Sequence, residues 1–289
     1  MDRCPSRRAA DLEAVRRRHR SASPDGLLRQ VPRVLECVRL SCYRSSHPPN
    51  PSLCELGHHM DTLSRKTIHM GVNFVLAPMP AVDSHFSLAF QRFLGETGIE
   101  FGRVELQDGQ LSIFRDKPAP LGIKIATGGP VGQLLIFAPL PERPLAAFVA
   151  EAEKVVRAFE IAASTGPRQL VSKDATLRDL FDTGGVHAFQ EIWERFLERT
   201  PEVLAMLGKE VLGGGLRFVM PPREGELDPV QIELKIESFL RDTSKVFFET
   251  QFAWPQPSTP GSPIDPGALL ASVDEYVQQV ASRFAGETT

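Results

Sequence analysis

The chain is 289 residues long, 42% hydrophobic and 24% charged, with a formal net charge of −3. That length allows one large domain or two small ones, and that composition excludes a wholly disordered chain. No run of about 18 apolar residues occurs, which excludes a membrane-spanning helix, and the expected setting is the cytoplasm.

Residues 1–59 differ from the rest. All four cysteines, Cys4, Cys37, Cys42 and Cys54, lie there, and the first lysine is Lys66. Eleven arginines stand against six carboxylates in this stretch, a balance of +5, so residues 60–289 hold 22 basic and 30 acidic residues, a balance of −8. Arg3, Arg7 and Arg8 have no apolar run behind them, so the stretch is not a secretory signal. Cys37-x4-Cys42 followed by Cys54-x3-His58 offers three thiolates and an imidazole for a tetrahedral zinc. The first pair is too wide for a zinc knuckle, and composition, charge and cysteine use all change together near Met60. The preferred reading is a disordered or non-native basic extension over 1–59, with no metal and with Met60 opening the folded body. That body is too acidic for nucleic acid, whose phosphates need clustered Lys and Arg.

From Met60 strand-like and helix-like segments alternate. Val72–Leu76 is an apolar, β-prone run. Ser84–Glu96 fits a helix capped by Ser84, with Phe86, Leu88, Phe90, Phe93 and Leu94 to bury. Phe101–Leu106 and Gln110–Phe114 flank a Gln107-Asp108-Gly109 turn, and Gly122–Ala126 and Gln133–Phe137 flank a glycine-rich loop. Leu145–Ala163 repeats apolar residues at steps of three and four, ending at Gly166-Pro167. Val186–Glu198 reads as a helix carrying Phe189, Ile192, Trp193 and Phe196. Leu216–Met220 is a strand between Gly213-Gly214-Gly215 and Pro221-Pro222. Gln231–Phe239 and Val246–Trp254 alternate as half-solvated antiparallel strands. After a proline-rich loop, Ala268–Phe284 carries Leu269, Leu270, Val273, Val277, Val280 and Phe284 as a second long helical stripe. These segments point to an α+β fold: antiparallel sheet(s) covered by long amphipathic helices, built as a duplicated helix–strands–helix unit with halves 60–166 and 167–289. A single larger sheet with both helices on one face is the alternative.

No catalytic or cofactor-binding residue emerges. Asp182-Thr183-Gly184 resembles the active-site tripeptide of aspartic proteases, where paired carboxylates activate water. It occurs once, and Leu177, Leu180 and Phe181 give it a helical lead-in, so it is read as a loop. The glycines at 128–132 and 213–215 fit no phosphate-binding pattern. His69, His85 and His187 lie in separate segments without metal-ligand spacing.

The chain has 18 Phe against 2 Tyr and 2 Trp. Most Phe fall on inferred core faces, but Phe239 and Phe247 share faces with Glu237 and Glu249. With Trp254 they make Phe239, Phe247, Glu249 and Trp254 the expected interface residues, for another protein or a second copy. The sequence reading is a non-enzymatic intracellular interaction protein of the regulatory or toxin-neutralising type. Its alternative is a small-molecule-binding protein or enzyme with a pocket between the sheet and the long helices.

Overall fold

Strand β1 (Lys66–Ala77) buries Met70, Val72, Phe74 and Leu76 and leaves Asn73 and Val75 between them partly open. That period of two is what a strand covered on one face requires. This computed structural model describes residues 65–163, 166–184 and 187–285, all within one unit, Glu55–Thr289. Strands β2 (Arg103–Gln107) and β3 (Gln110–Arg115) meet at Asp108-Gly109, whose φ angles of 50° and 76° suit a two-residue hairpin turn. Strands β4 (Leu121–Thr127) and β5 (Gly132–Pro139) follow, and then β6 (Gln169–Asp182). The last three are β7 (Gly215–Met220), β8 (Gln231–Ser238) and β9 (Lys245–Trp254).

These strands form one nine-stranded antiparallel sheet in the order β2-β3-β4-β5-β1-β6-β9-β8-β7. The first strand therefore lies in its middle, with Val72 opposite Ile136 of β5 on one side and Ala175 of β6 on the other.

Helix α1 (Ser84–Glu96) is capped by Asp83, whose side chain accepts from the Phe86 N–H at 2.9 Å, one residue before the expected Ser84. Helix α2 (Leu145–Ala162) buries Phe148, Ala152, Val155, Val156 and Phe159. Helix α3 (Pro266–Ala285) buries Leu269, Leu270, Val273 and Val277. Helix α1 packs on α2, α2 touches α3, and α3 reaches β1, β6 and β9. All contribute to one apolar core. No described helix is long and apolar enough to cross a membrane.

The expected architecture is corrected on this point. The chain is not a duplicated unit in which long helices cover antiparallel sheets. Among the described residues it is mostly one large sheet, 36% strand against 29% helix. The physical reason is β6. Its core face carries Ala175, Leu177, Asp179 and Phe181, and its neighbours are β1 and β9, so it joins all the strands into one sheet. Asp179 is fully buried because Arg65 donates to it through Nε at 2.8 Å and Nη2 at 3.1 Å, and Thr67 through Oγ1 at 2.6 Å. A buried carboxylate satisfied by partners more than a hundred residues away breaks the local apolar pattern without breaking the strand. The expected Val186–Glu198 helix is also reduced, to a helical turn Ala188–Gln190 running into a π-helix Glu191–Phe196.

Candidate functional site

Helix α2 closes at Ala163, whose N–H donates to the Phe159 carbonyl at 2.9 Å. Gly166, at φ 94°, turns the chain through Pro167 into Arg168 and the start of β6. The segment before α3 is pinned onto that start. Ser258 N–H donates to the Leu170 carbonyl and Gly261 N–H to the Arg168 carbonyl, each at 2.8 Å. The Gln169 amide donates to the Ser258 carbonyl at 2.9 Å. The proline-rich stretch is thus an ordered wall.

These elements line a half-open cavity of about 240 Å³. Leu76 and Leu170 come from the sheet, Glu160 from α2, and Ser262 and Ile264 from the wall, with Arg168 among them. The Arg168 guanidinium donates to the Ala163 carbonyl at the C-terminal end of α2, where a cation suits the helix dipole. It also lies 5.4 Å from the centre of the Phe159 ring. Burial pushes this guanidinium below the ordinary arginine value, against the pull of the Glu160 carboxylate. The site therefore combines an apolar floor, one held cation and an exposed carboxylate.

The four residues expected at an interface are divided. Phe239 and Phe247 line one shallow depression with Glu237, Leu240 and Arg241. Glu249 lies at the centre of a charged row on the sheet face, opposite Arg178 of β6 and Lys235 of β8. Arg178 Nε donates to it at 2.5 Å and Lys235 also bonds to it. Burial pushes the Glu249 carboxyl up, but Lys235 and Arg178 outweigh burial and hold it below the ordinary glutamate value. Trp254 is corrected: it is 5% exposed, in the core, 5.8 Å from the Phe252 ring. Its even number continues the buried series Val246, Phe248, Thr250 and Phe252.

Asp182 ends a strand, so its expected helical lead-in is corrected too. It pairs with Lys245 and accepts from the Gly184 N–H at 3.0 Å. The Lys245 bond, then the Gly184 bond, hold its carboxyl below the usual range. Thr183 Oγ1 donates to the Ser244 carbonyl at 2.8 Å, so the tripeptide serves as a strand closure. Gly215 lies where a Cβ would stand 2.2 Å from the Ile236 carbonyl oxygen, a close approach of β7 to β8. Cys37, Cys42, Cys54 and His58 lie outside the described residues. Among the described residues no group of three or more His, Cys, Asp or Glu could hold a metal.

Arg168 and its neighbours had one weak sequence signal, an arginine just past Gly166-Pro167 at a helix end. The wall had none, because its partners are backbone groups on another element.

No protein-family profile matches the chain, and no curated protein does. Among solved structures, DynU16, a protein of the dynemicin biosynthetic locus, is 12% identical with a TM-score of 0.24, covering 74% of this chain and 93% of its own. The di-domain ARO/CYC protein BexL from the BE-7585A biosynthetic pathway is 10% identical with a TM-score of 0.20, covering 74% and 97%. TM-scores this low say nothing about the chemistry of this chain.

Proposed function

We propose that the chain binds a small molecule with an apolar body and one anionic group in the cavity between the sheet, α2 and the wall before α3. The observation that carries this reading is the placement of Arg168 beside Leu76, Leu170 and Ile264 in one half-open cavity. Ligand sites run from roughly 300 to 1,000 Å³, so about 240 Å³ suits a small acid. The apolar floor supplies desolvation and the guanidinium supplies orientation. The cytoplasmic setting expected from the sequence stays part of this proposal.

Thermal shift against aryl and alkyl carboxylates, each with its matched neutral amide, tests the reading. The acids should raise the melting temperature and the amides should not. Arg168→Gln should abolish the effect. Because Arg168 also holds the end of α2, Ile264→Trp is the second variant, filling the cavity without touching the charge. No response to any acid, or an undiminished response in Ile264→Trp, would overturn the proposal.

A second reading, a protein contact through Phe239, Phe247 and Glu249, is favoured by one observation. Phe239 and Phe247 converge on one depression beside exposed Leu240.

A further inference from the structure

Exposed apolar side chains are concentrated in one stretch of the chain. Among the described residues, nine of the fourteen large hydrophobic side chains that stand exposed fall between residues 196 and 240. They include Met206, Leu207, Leu212, Phe218, Val219 and Leu240. Single exposed apolar residues need no explanation, but a concentration marks a contact surface.

Strand β7 lies in this region and is one edge of the sheet. Among the described residues no strand pairs with its outer side, so its outward N–H and C=O groups can template another strand. The two edges of the sheet differ. Strand β2 carries Arg103 and Glu105, both exposed and paired at 3.2 Å, and such charges discourage edge pairing. Strand β7 carries a single charge, Arg217, whose Nε is drawn back 2.9 Å from Glu233 of β8. The rest of the strand after Gly215 is Leu216, Phe218, Val219 and Met220.

We propose that a second copy of this chain adds its β7 to this edge as an antiparallel strand, about a two-fold axis through Phe218 perpendicular to the sheet. The argument for a copy is self-complementarity. With the axis at Phe218, Leu216 meets Met220 of the copy, Phe218 meets itself, and Arg217 meets Val219. The apolar row formed by Leu216, Phe218 and Met220 with Ile236, Leu234 and Ile232 of β8 then continues across the boundary. Moving the axis to Arg217 sets two like charges opposite each other. Moving it to Val219 sets Pro221, which has no N–H, opposite Arg217 inside the ladder, where the Phe218 register leaves it opposite Gly215 at the end. The Phe218 register sets no like charges opposite each other and keeps Pro221 outside the paired stretch Leu216–Met220. A five-residue ladder, Leu216–Met220, is small against the roughly 800 Å² per partner of a stable interface, and the exposed apolar side chains on the chain leading into β7 enlarge it.

Sedimentation of the full chain across a concentration series is the test. The wild type should be a dimer. Phe218→Lys should weaken dimerisation by at least about tenfold, since it buries a charge against its own copy, while Leu106→Lys on β2 should leave it unchanged. Should Phe218→Lys fail to fold, Phe218→Cys decides, in a chain whose Cys4, Cys37, Cys42 and Cys54 are serine. Opposed residues of antiparallel strands lie within disulfide reach, so it should cross-link to its copy under oxidation and Arg217→Cys should not. A monomeric wild type, a dimer indifferent to Phe218→Lys, or equal cross-linking at 217 and 218 would overturn the proposal.

Discussion

The ring of Phe137 fills the space that a side chain at residue 122 would need. A Cβ on Gly122 would stand 2.4 Å from Phe137 Cζ and 2.8 Å from its Cε2. The two are register partners on β4 and β5, and Phe137 is in turn 6.4 Å from the Phe114 ring and 6.2 Å from the His69 ring. Gly122→Val should therefore lower stability by about 1–3 kcal/mol, the usual cost of overpacking. Because Phe137 is only half-buried, adding Phe137→Ala should recover part of that loss in urea titrations. Strictly additive losses would mean the ring is not the obstacle.

His69 makes stability depend on pH. Burial, then the charge of Arg178, holds its pKa down to about 4 from 6.5, with Glu249 pulling the other way. The unfolded chain therefore takes up the proton first, and protonation favours unfolding. The contribution is intact above pH 6.5 and is lost as the pH falls toward 4. Unfolding free energies measured at pH 7 and pH 4.5 should differ by roughly 2–3 kcal/mol more in wild type than in His69→Gln. Parallel pH profiles would remove His69 as the cause.

Glu151 acts at lower pH. It bonds to Arg115 at 2.7 Å and also to Arg143, and both guanidiniums are nearly buried. Burial pushes its carboxyl up, but the two arginines outweigh burial and hold it below the ordinary value of 4.5. A depressed carboxylate contributes fully above its unfolded pKa and is lost as the pH falls through the folded one. Glu151→Gln should cost about 2–4 kcal/mol at pH 7, since it strands two cations. The gap to wild type should narrow below pH 4.5. A gap independent of pH would assign the loss to packing.

Phe159 is fully buried on α2 and meets the Phe86 ring edge-on at 6.3 Å. Phe159→Ala should cost about 3–5 kcal/mol, much of the stability of an ordinary domain. Calorimetry showing less than about 1 kcal/mol would contradict the packing described.

The division at Met60 remains a proposal, resting on the change of composition there. A chain starting at Met60 keeps Arg65, which joins β1 to Asp179 and, at 2.7 Å, to Asp274 of α3. It should melt within a few degrees of the full chain. A chain starting at Lys66 should melt well below both, because it leaves buried Asp179 short of its cation. Equal loss in both chains would show that earlier residues are needed.

Strands with satisfied alternation were readable: β8 and β9 show their faces in the order of their residues, and the β2–β3 turn is written in Asp108-Gly109. Strand β6 was not readable, because Leu180-Phe181 and the buried Asp179 imitate helical spacing and the ion pair that explains Asp179 is remote. Trp254 was misplaced by counting loop proximity above strand parity. Phe239 and Phe247 are grouped in the sequence by the faces they share with Glu237 and Glu249, and the structure sets both beside one depression. A pocket between the sheet and the long helices is the alternative the sequence offers, but the wall before α3 is not legible, since it is joined by backbone bonds that carry no residue signature.

The central position of β1 governs how the sheet can be assembled. Its neighbours are β5 and β6, so His69 must wait for Pro139 and Arg178 before either flank is paired. A nascent chain emerging from the ribosome would hold β1 with both flanks open while some sixty residues are added, roughly 3–12 s at ordinary elongation rates. The far flank then grows outward from β6 through β9, β8 and β7, against the order of synthesis. Such long-range closure makes for slow folding, and it makes the half-synthesised chain, more than the finished one, the form that needs a chaperone.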